Sequence, residues 1–286
     1  MPELPEVVTI RRDLARVLKG RRIVGFKIVK LRLLRNSPPL FRRGLTGATI
    51  LSVGRRAKLL LLELSSDYVL AIHLKMTGQL VWRSPSGQAR SGGHPIMGVA
   101  AVPNKFTYIT INLSDGAKLY FNDVRQFGYW QLIPKQEMFQ HTHHYGPEPL
   151  SAGFSLKELT ARLAKHRRTS VKAALLNQTV VAGLGNIYVD ESLFVAKLRP
   201  SRRVATLKPQ ELSRLRRAIQ SVLKKAVGAR GTSFNTYVDA LGRSGTYWQS
   251  RLVYGRAGES CLICRTAIKR TVTAGRGTYY CAHCQH

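Results

Sequence analysis

With 286 residues, 44% of them hydrophobic, the chain is long enough for two domains and apolar enough to give them cores, which excludes an intrinsically disordered protein. Lys and Arg number 46 against 15 Asp and Glu, a formal net charge of +31, so the expected partner is a polyanion. No basic amphipathic helix and no long apolar run accompanies the charge, which argues against a membrane surface and for nucleic acid.

The opening MPELPEVVTIRRDL carries acids and prolines rather than a basic segment followed by an apolar one, so no secretory signal is read there. Val7, Ile10, Leu14, Val17 and Leu18 recur at helical spacing and Gly20 follows as a stop, predicting an amphipathic helix directly after Pro2 and Glu3. From about residue 21 to 133 the texture is that of strands: RRIVGFKIVKLRLL, ATILSV, KLLLLEL, YVLAIHL, KFTYITINL, KLYFNDV and YWQLI. Turns at Ser65-Ser66-Asp67 and Ser114-Asp115-Gly116 join them, which points to an antiparallel sandwich or barrel. The Ser-, Gly- and Pro-rich stretch 84–104 predicts a long loop or mobile insertion, and 142–153 an interdomain linker.

Beyond it the pattern is helical. Ser155 and Glu158 form a capping box ahead of LKELTARLAKH, and Leu212, Leu215, Ile219 and Val222 mark a helix ending near Gly228. Between them, AGLGNIYVDES reads as a glycine turn opening a helix. Two readings of that turn are balanced: a phosphate site built from backbone N–H groups and the helix N-terminus with Asn186 as a further donor, or a plain helix–helix turn.

All four cysteines fall in Cys261-x2-Cys264-x16-Cys281-x2-Cys284, the spacing of a tetrahedral four-cysteine zinc site in an intracellular protein. Four thiolates leave no open coordination position, so one structural zinc ion is expected and no organic cofactor. Lys269, Arg270 and Arg276 lie between the pairs and present cations to an anion. Arg125 and Phe127 sit two apart on a presumed strand and share a face, where an Arg beside an exposed aromatic can wedge into a base stack. Taken alone, Phe127 is more often a core residue. Met76 carries the same two readings, and Lys58 by itself reads as a solvated lysine beside a strand.

Taken in order, MPELPEV, RRAKLLLLEL, HLKMTG, DVRQFG, YGPEPL, GLGNIYVDESL, VYGRAGESCLIC and GRGTYYCAHCQ resemble the formamidopyrimidine-DNA glycosylase family over nearly the whole chain. The resemblance implies an α+β protein: an N-terminal helix on an antiparallel β-sandwich in residues 1–134, a linker in 135–153, a helix–two-turn–helix DNA-binding domain in 154–250, and a β-hairpin zinc finger in 251–286. It implies that Pro2 is the nucleophile, Glu3 the acid and proton shuttle, Lys58 a phosphate-binding and proton-donating residue, and Arg276 the finger's phosphate ligand. Met76, Arg125 and Phe127 would fill the gap left by an extruded base. Arg168, Lys172 and Asn186 would hold the DNA backbone, and 229–248 would form a mobile loop over the base. The implied partner is double-stranded DNA containing oxidised bases or abasic sites, bound in a basic cleft by a cytoplasmic, nucleoid-associated bacterial monomer.

The sequence departs from the family pattern at Val8 and Asn177, where acids are usual, at Lys75, where a glycine is usual, and at Phe106 and Tyr108, where a His-x-His pair is common. A backbone-binding imidazole is therefore expected to be missing near Phe106. Two other readings compete: an endonuclease VIII-type enzyme for oxidised pyrimidines, disfavoured by PELPEV and the long candidate loop, and a non-catalytic zinc-finger DNA-binding protein. Pro2-Glu3 and Lys58 argue against the latter.

The chemistry explains the residue types. A base within a duplex must be extruded before its sugar carbon can be attacked. A terminal amine, with a reference pKa of roughly 7.7–8.0, is partly neutral at cellular pH, and proline's secondary amine gives a cationic iminium from which both base loss and strand cleavage follow. Met1 must be removed for this, because otherwise the Pro2 nitrogen is an amide.

Overall fold

The computed structural model describes residues 1–93, 102–232 and 245–286, and of residues 90 and 91 the backbone only. Parts of two expected loops, 94–101 and 233–244, thus lie outside the described residues. The chain forms two compact units: Met1–Thr142 together with Ala229–Trp248, and His143–Gly228 together with Gln249–His286.

In the first unit, helix α1 (Leu4–Leu18) buries Leu4, Val7, Ile10, Leu14 and Leu18, the stripe that its spacing predicts. Then follow β1 (Ile23–Ile28), α2 (Pro38–Leu45), β2 (Ile50–Arg56), β3 (Leu59–Leu64), β4 (Tyr68–His73), β5 (Gly78–Arg83), β6 (Ala89–Gly93), β7 (Thr107–Leu113), β8 (Lys118–Asp123), β9 (Tyr129–Pro134) and α3 (Met138–Thr142). The strands pair antiparallel in two sheets, ordered β1-β7-β8-β5-β6 and β2-β3-β4-β9. One core joins them: Leu60, Leu62, Leu70 and Ile72 from one sheet meet Leu80, Ile109, Ile111 and Phe121 from the other, with α1 against β2 and β6. The expected Ser65-Ser66-Asp67 and Ser114-Asp115-Gly116 turns link β3 to β4 and β7 to β8.

Three local readings of the sequence are corrected. The stretch 21–34 is not all strand: β1 stops at Ile28 and a 3-10 turn occupies Leu31–Leu33. Residues 38–45 are helical because prolines at the first helical positions need no N–H partner and Phe41 and Leu45 find core contacts. The 84–104 insertion contains β6, which adds to the sheet edge with Gly92 opposite Leu80 and Gly93 opposite Gln79.

The second unit holds α4 (Leu156–Ala164), α5 (Val171–Leu176), α6 (Asn186–Val195), α7 (Pro209–Gly228) and a hairpin of β10 (Lys269–Thr273) and β11 (Arg276–Tyr280). Ser155 caps α4 by accepting from Glu158 N at 3.1 Å. The hairpin turns through Ala274 and Gly275, with φ of 53° and 68°, the positive-φ pair of a tight two-residue loop.

Candidate active site and DNA-binding residues

At the start of α1, Pro2 and Glu3 are both buried. Glu6, one turn on, accepts from Glu3 N at 2.9 Å through Oε2 and from Thr232 N at 2.7 Å through Oε1. It thereby joins the N-terminal turn to the strand-like stem made by Thr232 and Thr246. Farther along α1, buried Asp13 pairs with Arg230 of the same stem. The amino group at the chain start, on Met1, has its pKa lowered mainly by burial, while Glu3 and Glu6 pull it up and Lys58 and Arg125 push it down. Lys58 is only 6% exposed. It sits in the tight turn from β2 to β3, beside Ala57 at φ 51°, so it is not the solvated lysine that its local sequence suggests. One amine, two carboxylates and two cations thus share one electrostatic site.

Arg125 and Phe127 are not on a strand. β8 ends at Asp123 and β9 begins at Tyr129, and the tip between them passes through Gln126 at φ 56°. Arg125 and Phe127 meet because the Arg125 guanidinium lies over the Phe127 ring, 4.7 Å from its centre. Phe127 is 52% exposed and Met76 40% exposed, which sets aside a core role for either. Lys75 adopts φ 49°, a conformation glycine takes without strain, and its ammonium lies 5.6 Å from the centre of the Tyr129 ring. Tyr108 is buried and accepts from Gln126 Nε2 at 2.9 Å, while Lys105 lies over Phe106.

His73 is a residue that the sequence reading passed over although it lies in the quoted HLKMTG. Its Nδ1 accepts from Lys75 N at 2.9 Å, so a neutral ring carries its proton on Nε2 and offers one donor. Burial first, then Lys75 and Lys58, hold its pKa down at about 3. Between that value and the unfolded 6.5, the unfolded chain binds a proton that the folded chain refuses, so stability falls as pH drops through this window. His73→Gln should therefore show a shallower loss than the parent between pH 6.5 and 4.5, by about 2–3 kcal/mol at about 1.36 kcal/mol per pH unit. Equal slopes in denaturant titrations at the two pH values would refute this.

In the second unit, Arg168 is exposed in the turn before α5, and Arg276 is exposed where the finger hairpin leaves its turn. Lys172 is a correction. Its side chain is fully buried, 2.7 Å from Asp190 Oδ1, and donates to Gly277 O at 3.1 Å, so its ammonium is spent inside the unit rather than on a phosphate. The other Asp190 oxygen accepts from Tyr279 N at 2.9 Å. Asn186 Nδ2 donates to Gly277 O at 2.9 Å, which makes it a tie to the hairpin. Glu191, also buried, accepts from the backbone N–H groups of Leu252, Val253 and Tyr254 at 2.8–2.9 Å. The VDES segment of α6 is therefore the mooring of the finger. Lys172→Met should lower stability by about 3–5 kcal/mol, because it strands a buried carboxylate, yet leave the salt dependence of DNA affinity unchanged. Flattening of that dependence by about one unit of log–log slope would restore a phosphate contact.

The four cysteine sulfurs lie within 4.8 Å of one another, with Cys264 and Cys281 Sγ 3.4 Å apart and Cys261 and Cys284 Sγ 4.0 Å apart. Tetrahedral zinc with Zn–S bonds of about 2.3 Å requires S···S near 3.8 Å, so the set fits the ion. Ile263 N and Cys284 N point at the sulfurs of Cys261 and Cys281, and Phe194, Val253 and Ile268 pack around the buried pair.

Comparison with known proteins gives three family-model matches: the formamidopyrimidine-DNA glycosylase N-terminal domain over residues 1–130, the H2TH domain of the same enzymes over 145–238, and a zinc finger found in FPG and IleRS over 258–286. Curated formamidopyrimidine-DNA glycosylases of Chloroflexus aurantiacus and Pelotomaculum thermopropionicum are 41% and 39% identical, covering 100% of this chain and 98% and 99% of theirs. A Lactococcus lactis Fpg bound to abasic-site DNA superposes with a TM-score of 0.88 at 34% identity over 99% of both chains. The L. lactis enzyme bound to DNA containing an oxidised pyrimidine gives 0.87 at 34% identity over 100% of both.

Proposed function

The chain belongs to the formamidopyrimidine-DNA glycosylase family, and from that premise we propose that it excises oxidised purines through a Pro2 iminium and cleaves the strand by β,δ-elimination. It is a base-excision repair glycosylase with abasic-site lyase activity, and its partner is DNA carrying oxidised bases or abasic sites. The observation that best supports the Pro2 route is the burial of Pro2 and Glu3 at the entry to α1, beside Glu6, with Lys58 and Arg125 close enough to act on the amino group of the preceding residue.

With Met1 removed, the Pro2 nitrogen attacks C1′ and the glycosidic bond breaks, its electron pair leaving with the base. Breaking C1′–O4′ opens the sugar and forms the iminium, with Glu3 supplying a proton to O4′. Loss of a C2′ proton then expels the 3′-phosphate, and a second elimination expels the 5′-phosphate. Lys58 binds a phosphate beside the lesion. Met76, Arg125 and Phe127 occupy the vacancy left by the base. Arg168, Arg276 and the N-terminus of α6 face phosphates, while Lys172 and Asn186 hold the hairpin that carries Arg276. Zinc, when bound, crosslinks the finger and takes no part in bond breaking. Among the described residues no helix is long and apolar enough to cross a membrane, and the proposed place of work is the cytoplasmic DNA.

The test is a panel of duplexes carrying 8-oxoguanine, a formamidopyrimidine, an oxidised pyrimidine or an abasic site, assayed for base release and for nicks. Purine lesions should be released faster than the pyrimidine. The reverse order would replace the proposed preference by the endonuclease VIII-type reading, and no release from any duplex would overturn the function.

A further inference from the structure

Two short turns of the first unit carry the three candidate gap-filling residues: 74–77 carries Met76, and 124–128 carries Arg125 and Phe127. They are bolted together by groups to which the proposed chemistry gives no part. Thr77 Oγ1 donates to Asp123 Oδ1 and accepts from Arg125 N at 2.9 Å, and Asp123 Oδ2 accepts from Gly128 N at 2.7 Å. Asp123 is 0% and Thr77 8% exposed, so these bonds are shielded from water. The geometry leaves little slack. A Cβ on Gly128 would come within 2.9 Å of Asp123 Oδ2 and 2.7 Å of Phe121 Cζ, and the 74–77 turn closes through Gly78 N to Leu74 O at 2.9 Å.

An outer latch holds the same tip from the other side. Gln126 Oε1 accepts from Arg32 in the 3-10 turn, and Gln126 Nε2 donates to Tyr108 on β7. Tyr108 is one of the two residues that replace the family's usual imidazoles, so a position expected to bind backbone instead steadies the tip.

We propose that Asp123, acting through Thr77 with Gln126 as outer latch, is a positioning residue that presents Met76, Arg125 and Phe127 as one rigid wedge. The proposal rests on the reading of those three side chains as fillers of the vacated base stack. Their apolar surfaces are exposed in the free protein, so what the turns supply is fixed geometry rather than burial. A wedge already ordered loses less conformational freedom on insertion than one that must be ordered at the moment of extrusion.

The experiment compares Thr77→Val, which keeps the shape but removes the hydroxyl, with Thr77→Ser, which keeps the hydroxyl. Each is assayed in single turnover on an 8-oxoguanine duplex, on a duplex with a preformed abasic site, and on the lesion in single-stranded DNA, where there is no stack to fill. Thr77→Val should slow base release from the duplex by about tenfold to a hundredfold while changing the other two substrates by no more than about twofold. Thr77→Ser should restore the duplex rate, and Gln126→Ala should show a smaller loss of the same selectivity. Equal losses on all three substrates, or no loss on the duplex, would overturn the proposal. If Thr77→Val does not fold by thermal melting, the superficial Gln126→Ala decides on the same criteria. Failure of the parent protein to release base at all would refute the functional reading itself, a result distinct from loss of duplex selectivity.

Discussion

Borohydride added while the mature chain turns over an 8-oxoguanine duplex is expected to yield a protein–DNA adduct that survives a denaturing gel and maps to residue 2. The reason lies at the entry to α1, where Pro2 and Glu3 are buried and Glu6 accepts from Glu3 N, so that loss of Met1 frees the Pro2 nitrogen beside two carboxylates. Hydride reduces the iminium to an amine, and a bond that hydrolysis would have broken becomes permanent. With Met1 retained, the Pro2 nitrogen is an amide and adduct through it should vanish, leaving at most a weak background from the Met1 amine. Pro2→Gly keeps a terminal amine and should keep part of the trapping. Glu3→Gln should bind lesion DNA normally yet release base more slowly by about 10²–10⁴-fold, the range for loss of a general acid, with a smaller effect on preformed abasic sites. An adduct on Lys58, or none on any oxidised purine or pyrimidine substrate, would discard the mechanism.

Cys264→Ser should abolish zinc binding and weaken lesion-DNA affinity by at least about tenfold, the effect of losing one charge-assisted contact worth about 1.5–3 kcal/mol, while the first unit melts as before. All four ligands lie within residues 261–284, so loss of one opens the crosslink that joins the two ends of the finger. Structural zinc contributes about 10–16 kcal/mol in finger peptides, more than the residual hairpin and its ties to Asp190 and Asn186 can replace. The three exposed cations most affected are Lys269, Arg270 and Arg276, all on the hairpin. Metal analysis with a binding titration decides the matter. Affinity that persists in a zinc-free protein would remove the finger from the DNA-binding surface.

Local periodicity made α1 and α7 legible, because each has one face in a core and one outside, while the sandwich strands were legible from their β-branched, aromatic and leucine content, β4, β5 and β8 being buried at nearly every position. It misled where a segment obeys another rule. α6 shows almost no apolar stripe because Asp190 and Glu191 are buried as hydrogen-bond acceptors for distant backbone, and no spacing along one helix reveals partners about 60 to 90 residues away. Lys172 looks like any surface cation until Asp190 is placed beside it. Arg125 and Phe127 share a face through a left-handed turn at Gln126 rather than through strand alternation. The cysteine spacing needed no structure. Pro2, Glu3 and Lys58 emerged as a set only from the resemblance to a family, since nothing in the chain's local patterning distinguishes a buried functional lysine from a solvated one.

The division of the chain bears on how it is made. The first unit is built from Met1–Thr142 and from Ala229–Trp248, the second of which ties to α1 through Glu6 and Asp13. On the ribosome the sandwich therefore emerges about a hundred residues before its last piece, and at roughly 5–20 residues per second it waits some 5–20 s before Glu6 can accept from Thr232 N and Asp13 can pair with Arg230. Glu6, beside the nucleophile, reaches its native bonding only after α4 to α7 have left the exit tunnel. Completion of the first unit is thereby delayed until most of the second has been synthesised, and a nascent chain halted before residue 229 should hold a folded β-sandwich with an unfinished active site.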